Sequence, residues 1–285
     1  MKTIAIVGVG LIGGSFALAL RKAGFRGRVI GVSSPKTVAA ALARGVIDAA
    51  ASLEQAVSEA DLVYLAQPIC RILDTLDGIG PLVGAGVLVT DAGSTKARIV
   101  EHARRSVRQG QFLGGHPMAG KERRGVEEAD PDLFAGRTYV LTPEGPQDLE
   151  TPAAAEFLEW LRRIGGVPVV LNPGEHDRVV SLTSHLPQLA STALAAALAK
   201  RLAIEKHIQV AGPGLRDATR LALSPYDIWR DILATNSEHI GTALDAYISE
   251  LTELRARILD ARMQREFEVA SDFARLLRSK GEPAV

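Results

Sequence analysis

The sequence TIAIVGVGLIGGSFALAL, residues 3–20, carries the clearest structural signal in this chain. A short apolar run leads directly into Gly8, Gly10 and Gly13, which have the spacing G-x-G-x-x-G, and apolar residues at helical period follow. This order predicts a buried strand, a tight turn and a helix whose N-terminus attracts an anion. Glycines at these positions permit the turn, close approach of the backbone to a pyrophosphate and close packing of the helix on the strand. We therefore predict a dinucleotide-binding site formed by Gly8, Gly10, Leu11, Ile12 and Gly13.

Composition narrows the class of protein. The chain has 285 residues, 33 of them basic and 33 acidic, so it has no net charge with which to attract a nucleic acid. Its one cysteine, Cys70, cannot form an internal disulfide, which favours a reducing compartment. Residues 4–20 are the one stretch that resembles a signal peptide or a membrane span, and their regularly spaced glycines argue against both. We predict a cytoplasmic protein that binds neither nucleic acid nor membrane.

The order of the elements predicts two domains. Short β-branched runs alternate with helical stretches as far as residue 171, which is typical of a parallel sheet with helices on both faces. From Asn172 onward the pattern is helical. We predict an α/β Rossmann-like dinucleotide-binding domain over residues 1–172 and an all-α helical domain over 173–285. The predicted strands are 3–7, 28–32, 61–66, 86–90, 112–115, 138–141 and 167–171, and the clearest helices of the second domain are 184–202, 213–223, 236–262 and 264–279.

One of these helices has a second pattern. In the stretch 236–262, apolar residues recur at steps of four, three, four, three and four positions. Such a heptad seam packs against another helix. The partner is either a helix of the same chain or a second subunit, and the sequence leaves both open. The seam consists of Ile240, Leu244, Tyr247, Leu251, Leu254 and Ile258.

The end of the second predicted strand bears on the choice of cofactor. About twenty residues beyond the glycine turn, an acidic residue normally binds the adenine ribose of NAD. The sequence here is SSPKT, and residues 1–47 contain seven basic groups and no carboxylate. Hydroxyl and ammonium groups suit a 2'-phosphate, so we predict NADP in preference to NAD, bound by Ser33, Ser34, Lys36 and Thr37. Ser34 is also suited to cap the next helix, with Pro35 at its first position.

Two further strands end in TDAGSTK, residues 90–96, and FLGGHPMAGKE, residues 112–122. As neighbours in a doubly wound sheet, both end at the crevice where a nicotinamide lies. His116 can there accept a hydroxyl proton while a hydride leaves the same carbon, because the ordinary pKa of histidine is near neutrality. We predict that His116 and Ser94 are catalytic. The alternatives are a core histidine and a serine that, like Thr95, only caps a helix.

The helical half offers groups for an anionic substrate. His185 lies in SLTSHLPQ near a predicted helix start, and Arg216 and Arg220 in GLRDATR stand four apart on one helical face. Trp229 follows in WRD. Guanidinium groups bind carboxylates through paired hydrogen bonds, although arginines on helices are as often simply solvated.

Taken in order along the chain, several motifs resemble those of the prephenate and arogenate dehydrogenase family. The resemblance extends from about residue 4 to residue 231. It rests on the motifs GVGLIGGS, TDAGSTK, GGHPMAG, LFAGRTYVLTP, EHD, SHLP, GLRDATR and WRD. It implies NAD(P)-dependent oxidative decarboxylation of prephenate to 4-hydroxyphenylpyruvate, or of arogenate to tyrosine, in tyrosine biosynthesis. It also implies a homodimer built through the helical domain.

The same resemblance implies roles for individual residues. His116 matches the catalytic histidine that bonds the ring hydroxyl, and Ser94 matches the serine that positions this histidine and the substrate. Arg220 matches the arginine that binds the ring carboxylate, His185 a histidine near the substrate side chain, and Trp229 a tryptophan that lines the pocket. The predicted substrate-binding residues are Arg220, His185, Arg216 and Trp229.

Two other functions stay open at this point. A related dehydrogenase or imine reductase shares the plan of sheet and helices and usually has a lysine as proton donor, for which Lys200 and Lys206 are available without a supporting motif. A binding protein that responds to the nucleotide could retain the cofactor pocket without catalysis. The histidines and Asp177 in the second half lack the spacing of a metal-binding helix motif, so we predict no metal.

Overall fold

The computed structural model describes residues 1–121, 123–202 and 205–281. The strands are β1 (Thr3–Val7), β2 (Arg28–Val32), β3 (Ala49–Ala50), β4 (Leu62–Leu65), β5 (Leu88–Asp91), β6 (Gln111–Pro117), β7 (Thr138–Thr142) and β8 (Val167–Val170). The helices among them are α1 (Leu11–Lys22), α2 (Pro35–Ala43), α3 (Leu53–Glu59), α4 (Ile69–Ile79), α5 (Ala97–Ser106) and α6 (Pro152–Arg163). Every predicted strand is present with small shifts at its ends, and the two-residue β3 is an addition.

The strands form one sheet in the order β3-β2-β1-β4-β5-β6-β7-β8. The strands from β3 to β6 run parallel, so their carboxyl ends lie at one edge. The prediction of a parallel sheet is wrong for the last two strands, because β7 runs antiparallel to β6 and β8 follows the direction of β7. Among its described residues, 118–121 and 123–137, the connection from β6 to β7 carries the short 3-10 turn Val126–Glu128 and no crossover helix.

The core explains why β1 is apolar throughout. Ile4 and Ile6 belong to one buried cluster together with Phe16 of α1, whereas Ala5 and Val7 belong to a second cluster on the other face of the sheet. A strand that is buried on both faces needs apolar residues at every position. The apolar run at the start of the chain is therefore a central strand.

The second half is helical, as predicted. Its helices are α7 (Pro173–Val180), α8 (Leu186–Ala199), α9 (Glu205–Ile208), α10 (Pro213–Thr219), α11 (Tyr226–Thr235), α12 (Ser237–Ala256) and α13 (Met263–Gly281). A π-helical turn, Ser181–His185, joins α7 directly to α8. The predicted helix start near His185 is therefore the interior of a longer helical segment. Ile232 and Ile240 join the buried cluster on one face of the sheet, so the helical region packs against the sheet.

The heptad seam is only partly covered by its own chain. Ile240 is buried and Leu244 packs against the core, but Leu251 and Ile258 are 48% and 71% exposed. The internal partner therefore accounts for the beginning of the seam alone. Within the described residues, no helix combines the length and the apolar character needed to cross a membrane. The cytoplasmic location stays a prediction.

Candidate active site

The glycine turn between β1 and α1 has the shape that a dinucleotide phosphate requires. Gly8 has a φ of +96°, and a Cβ there would lie 2.6 Å from the carbonyl oxygen of Ala66. A Cβ on Gly13 would collide with the carbonyl oxygen of Gly8, whereas the space beside Gly10 is open. No described side chain caps α1, so the N–H groups of its first turn are available to an anion. This turn begins with the two other predicted residues, Leu11 and Ile12.

The group predicted to bind a 2'-phosphate lies at the surface, at the end of β2. Ser34 caps α2, since its Oγ accepts a hydrogen bond from the N–H of Thr37 at 3.3 Å and lies 2.9 Å from the Thr37 hydroxyl. Pro35 occupies the first helical position. Ser33 and Lys36 are exposed beside this cap. Capping therefore occupies Ser34 and Thr37, whereas the side chains of Ser33 and Lys36 are exposed to solvent.

His116 lies near the carboxyl end of β6, next to a glycine whose backbone is tightly held. The N–H of Gly115 donates to Oδ1 of Asp91 at 3.1 Å, and its carbonyl accepts a hydrogen bond from Nζ of Lys96 at 2.8 Å. The Lys96 ammonium also pairs with Oδ2 of Asp91, and both side chains are fully buried. Burial lowers the pKa of Lys96, and the neighbouring Asp91 opposes this shift. A buried ion pair thus fixes both polar backbone groups of the residue before His116.

A chain of buried hydrogen bonds leads from His116 into the helical region. Nδ1 of His116 lies 2.8 Å from Nε2 of His176 in α7, and Nδ1 of His176 lies 2.7 Å from Oδ1 of Asp177. The Asp177 carboxylate also accepts the N–H groups of Lys96 and Ala97, at 2.7 and 2.9 Å. Asp177 therefore caps α5 from the other half of the chain and joins the two halves at His116.

The surroundings of His116 favour its neutral form. Its side chain is 9% exposed, and burial is the main reason why the pKa of His116 lies well below the ordinary value of 6.5. His176, Lys96 and His185 lower it further, because a positive charge on His116 would face each of these groups. At neutral pH the imidazole is therefore unprotonated and able to accept a proton.

The π-helical turn brings a third histidine to the same place. His176 and His185 are nine positions apart, and at about 100° per residue an unbroken α-helix would put them on opposite sides. A π turn is wider and absorbs about one residue, which leaves an offset of roughly 80°. Asn236 connects His185 to the backbone of α7. Its Nδ2 donates to the carbonyl of Asp177 at 2.8 Å and lies 3.3 Å from Nδ1 of His185.

His185 and Trp229 form the next part of the site. Their rings meet edge to face, with centroids 5.9 Å apart, and Nε1 of Trp229 donates to Oγ of Ser224 at 2.9 Å. Burial lowers the pKa of His185 to about 4. The structure therefore brings together three of the predicted site residues, His116, His185 and Trp229.

Ser94 lies in the loop between β5 and α5. It is half-buried and forms no side-chain hydrogen bond with any residue that the structure describes. The alternative that Ser94 or Thr95 caps α5 is wrong, because Asp177 caps this helix and the Thr95 hydroxyl lies 2.8 Å from that of Thr235. Ser94 stands between Asp91 and Lys96 in sequence, and its catalytic role stays a prediction.

The two predicted arginines lie outside the buried cluster. Arg216 in α10 and Arg220 at the start of the following 3-10 turn are both exposed. This turn is held against α8, because Nε2 of Gln188 donates to the carbonyl of Leu221 at 2.7 Å. Gln188 is about one helical turn beyond His185, so the 3-10 turn that begins with Arg220 lies against the part of α8 that follows His185.

Sequence reasoning missed the buried polar residues around His116: its direct partner His176, and Asp91, Lys96 and Asp177, which hold His176 or the backbone of Gly115. Asp91 and Lys96 lie within the quoted motif TDAGSTK, and His176 and Asp177 within EHD. The available signal was an adjacent histidine and aspartate at the start of a helix. No spacing rule connects them to His116, because His116 and His176 are 60 positions apart.

Comparison with known proteins identifies the family. Residues 16–171 match the family model "Prephenate dehydrogenase, nucleotide-binding domain", and residues 172–278 match "Prephenate dehydrogenase, dimerization domain". A prephenate dehydrogenase of Lactococcus lactis subsp. cremoris is 36% identical in an alignment 264 residues long that covers 90% of this chain and 72% of that protein.

Solved structures agree with this result. The crystal structure of prephenate dehydrogenase from A. aeolicus, in complex with hydroxyphenyl propionate and NAD+, has 29% identity and a TM-score of 0.87, and the match covers 99% of each chain. Synechocystis arogenate dehydrogenase has 30% identity and a TM-score of 0.82 over 96% of this chain and 99% of that one. The expected fold and family are confirmed: this chain is an oxidoreductase that belongs to the prephenate dehydrogenase family.

Proposed function

We propose that this enzyme catalyses the NAD(P)-dependent oxidative decarboxylation of prephenate to 4-hydroxyphenylpyruvate, a step of tyrosine biosynthesis. The observation that carries this proposal is the neutral, buried imidazole of His116, bonded at Nδ1 to His176. It lies at the same edge of the sheet as the glycine turn. The relatives named prephenate dehydrogenase support the same reaction.

The chemistry follows from these groups. A bound nicotinamide supplies the acceptor for a hydride from the carbinol carbon of the ring. Nε2 of His116 takes the proton of the hydroxyl group on that carbon, which becomes a carbonyl. The electron pair of the bond to the ring carboxylate moves through the ring onto the new carbonyl oxygen, carbon dioxide leaves and the ring becomes aromatic. The phenolate oxygen formed in this way takes back the proton that His116 holds. Arg220 binds the ring carboxylate until this bond breaks.

Arogenate is the second candidate substrate, since Synechocystis arogenate dehydrogenase is among the similar structures. Its side chain has an ammonium group where prephenate has a keto group, and Glu175 is the nearest sequence feature that suits an amine. In the structure Glu175 belongs to the first turn of α7: its N–H donates to Oδ1 of Asn172 at 2.8 Å, and its carboxylate lies 3.3 Å from Nδ2 of the same residue. Glu175 therefore serves the helix start, which favours prephenate.

NADP is the proposed cofactor. The exposed side chains of Ser33 and Lys36 at the end of β2 suit a 2'-phosphate, and residues 1–47 contain no carboxylate that would repel it. The glycine turn serves NAD and NADP equally, so the preference depends on this surface group. Replacing Ser33 by aspartate is expected to reverse the preference, because a carboxylate accepts hydrogen bonds from ribose hydroxyls and repels a phosphate.

A homodimer through the helical domain is the proposed assembly. The accessible surface is 16017 Å², whereas a compact protein of this mass exposes about 12,000 Å². Exposed apolar side chains of α12 and α13 contribute to the excess, among them Leu251, Phe267 and Phe273. Family resemblance supports the same conclusion, because the matching model for residues 172–278 describes a dimerization domain.

The test compares prephenate and arogenate, each with NAD+ and with NADP+. Reduction of the cofactor is monitored by its absorbance at 340 nm. We expect the highest kcat/KM for prephenate with NADP+. Binding of a cofactor without turnover of either substrate would instead favour the nucleotide-responsive binding protein. The imine reductase alternative has weak support, because Lys200 and Lys206 are exposed and lie outside the histidine cluster.

A further inference from the structure

His176 and Asp177 have no place in the proposed reaction as written, yet both are buried beside it. The His176 ring is fully buried, and each of its nitrogens has one close partner among the described residues: Nε2 faces Nδ1 of His116, and Nδ1 faces Oδ1 of Asp177. The two imidazole rings cross at 72°. Both ring nitrogens of His176 and Nδ1 of His116 therefore take part in the same short chain.

Asp177 determines which atom is the donor in each hydrogen bond of this series. Its carboxylate also accepts the backbone N–H groups of Lys96 and Ala97, so three N–H groups converge on it. An ionised carboxylate has no proton to donate, and Nδ1 of His176 must therefore carry the hydrogen of this contact. With one hydrogen on the His176 ring, its lone pair is at Nε2, and Nδ1 of His116 then carries the hydrogen of the next contact.

We propose that His176 and Asp177 are positioning residues that hold His116 in the tautomer with hydrogen on Nδ1, so that Nε2 presents the lone pair that takes the substrate proton. The inference rests on the proposed function in one respect, because that reaction identifies Nε2 as the proton acceptor. The tautomer itself is a property of the protein without substrate.

The same chain disperses the charge that the reaction creates. When the hydroxyl O–H bond breaks and a bond to hydrogen forms at Nε2, His116 becomes an imidazolium that faces the buried Lys96 and the ring of His185. Transfer of its Nδ1 proton to Nε2 of His176 moves the positive charge onto a ring that contacts the Asp177 carboxylate. One proton moves at each step, and the only oxidation is the hydride transfer already in the reaction.

The tautomer is measured by nitrogen-15 NMR of histidine side chains in the full-length, substrate-free protein at pH 7.5. The protonated and unprotonated ring nitrogens have distinct shifts, and the signals lost in His116→Asn identify His116 among the six histidines. We expect hydrogen on Nδ1 and a lone pair on Nε2. A wild-type His116 with hydrogen on Nε2 would overturn the proposal.

Two variants of His176 separate tautomer control from simple packing. In His176→Gln the side-chain oxygen reaches the position of Nε2 and still accepts the hydrogen of His116, so we expect the same tautomer and a kcat within about 10-fold of wild type. In His176→Phe this acceptor is lost, hydrogen moves to Nε2 of His116, and kcat falls by about 100-fold at unchanged KM and cofactor affinity.

Equal losses of kcat in the two variants, or an unchanged His116 tautomer in His176→Phe, would contradict the inference. If His176→Phe does not fold, the wild-type spectrum and the glutamine variant still decide the matter. If neither prephenate nor arogenate is turned over, the proposed function fails, while the NMR measurement continues to test the tautomer.

Discussion

The carboxylate of Asp177 accepts the N–H of Lys96 at 2.7 Å, which joins α7, the first helix of the helical region, to the loop beside β6, the strand that carries His116. Lys96 in turn binds the carbonyl of Gly115, the residue before His116. The contact between the two halves of the chain and the support of His116 are therefore one hydrogen-bonded unit. Substitutions in either half that break these hydrogen bonds are therefore expected to displace the imidazole of His116.

Removing the base should reduce catalysis and spare cofactor binding. For His116→Asn we expect kcat to fall by about 10²- to 10⁴-fold, the range that a positioned base contributes, with little change in the Kd for NADP+, because the glycine turn is untouched. Steady-state kinetics and a fluorescence titration of the cofactor measure the two effects. His207→Asn, at an exposed position of α9, is the control. A variant that loses cofactor affinity as strongly as kcat would contradict the assigned role.

Arg220→Ala should act mainly on substrate binding. Loss of a hydrogen-bonded charge pair costs about 1.5–3 kcal/mol, which corresponds to a KM for prephenate about 10- to 150-fold higher, with kcat changed less. Initial rates over a range of prephenate concentrations give both constants. Arg201→Ala, at an exposed arginine just beyond α8, should behave as wild type. If Arg220→Ala lowers kcat at constant KM, the arginine acts in the transition state instead.

The buried histidines predict a loss of stability in mild acid. An unfolded histidine binds a proton below about pH 6.5, whereas in the folded protein the pKa of His185 is lowered to about 4 and that of His116 also lies well below 6.5. The unfolded state therefore binds more protons between these values, and stability falls as the pH decreases from 6.5, by at most about 1.4 kcal/mol per pH unit for each histidine.

Urea unfolding at pH 7.5, 6.5 and 5.5 measures this dependence. The free energy of unfolding should be nearly constant above pH 6.5 and decrease below it. His185→Gln should make the decrease shallower, whereas His207→Gln should leave it unchanged. An equal slope for wild type and His185→Gln would show that His185 does not contribute.

Because Asp91 and Lys96 form a buried ion pair, the losses in the free energy of unfolding caused by substituting each residue should be strongly non-additive. Lys96→Met leaves the Asp91 carboxylate buried without its cation, and we expect a loss of about 3–5 kcal/mol in the free energy of unfolding. Adding Asp91→Asn removes the second charge, so the double variant should cost less than the sum of the two single variants. Lys22→Met is the matched control, because Lys22 pairs with Asp132 at the surface and should contribute at most about 1 kcal/mol. Additive losses would contradict the coupling.

The exposed part of the heptad seam predicts the oligomeric state. A charge at Leu251 would be buried against a second subunit, so Leu251→Glu should convert the dimer to a monomer in light scattering after size exclusion. Leu42→Glu in α2 is the control, because Leu42 is 42% exposed, close to the 48% of Leu251, and lies in the other half of the chain. A dimer that survives Leu251→Glu would place the interface elsewhere.

Much of the fold was predictable, because local patterns report it. The ends of β1 and β2 agree with their predicted bounds, and the apolar runs of the other strands were found within a few positions. The reversal of β7 was not predictable from its own residues, since Thr138–Thr142 fits either direction of a sheet. Helices α7 and α11 were also absent from the prediction, because each is short and carries charged residues within its turns.

The amino-acid sequence alone established the dinucleotide turn, the division into a sheet-rich and a helical half, and His116 as the candidate base, because each depends on neighbouring residues or on a motif. The partners of this base came from the folded chain. Asp91 and Lys96 lie beside His116 because β5 and β6 are neighbours in the sheet, and His176 and Asp177 lie there because α7 meets the start of α5. The π turn after α7 then brings His185 to the same place. Such contacts depend on burial and on the path of the backbone between distant positions, and no local pattern records either.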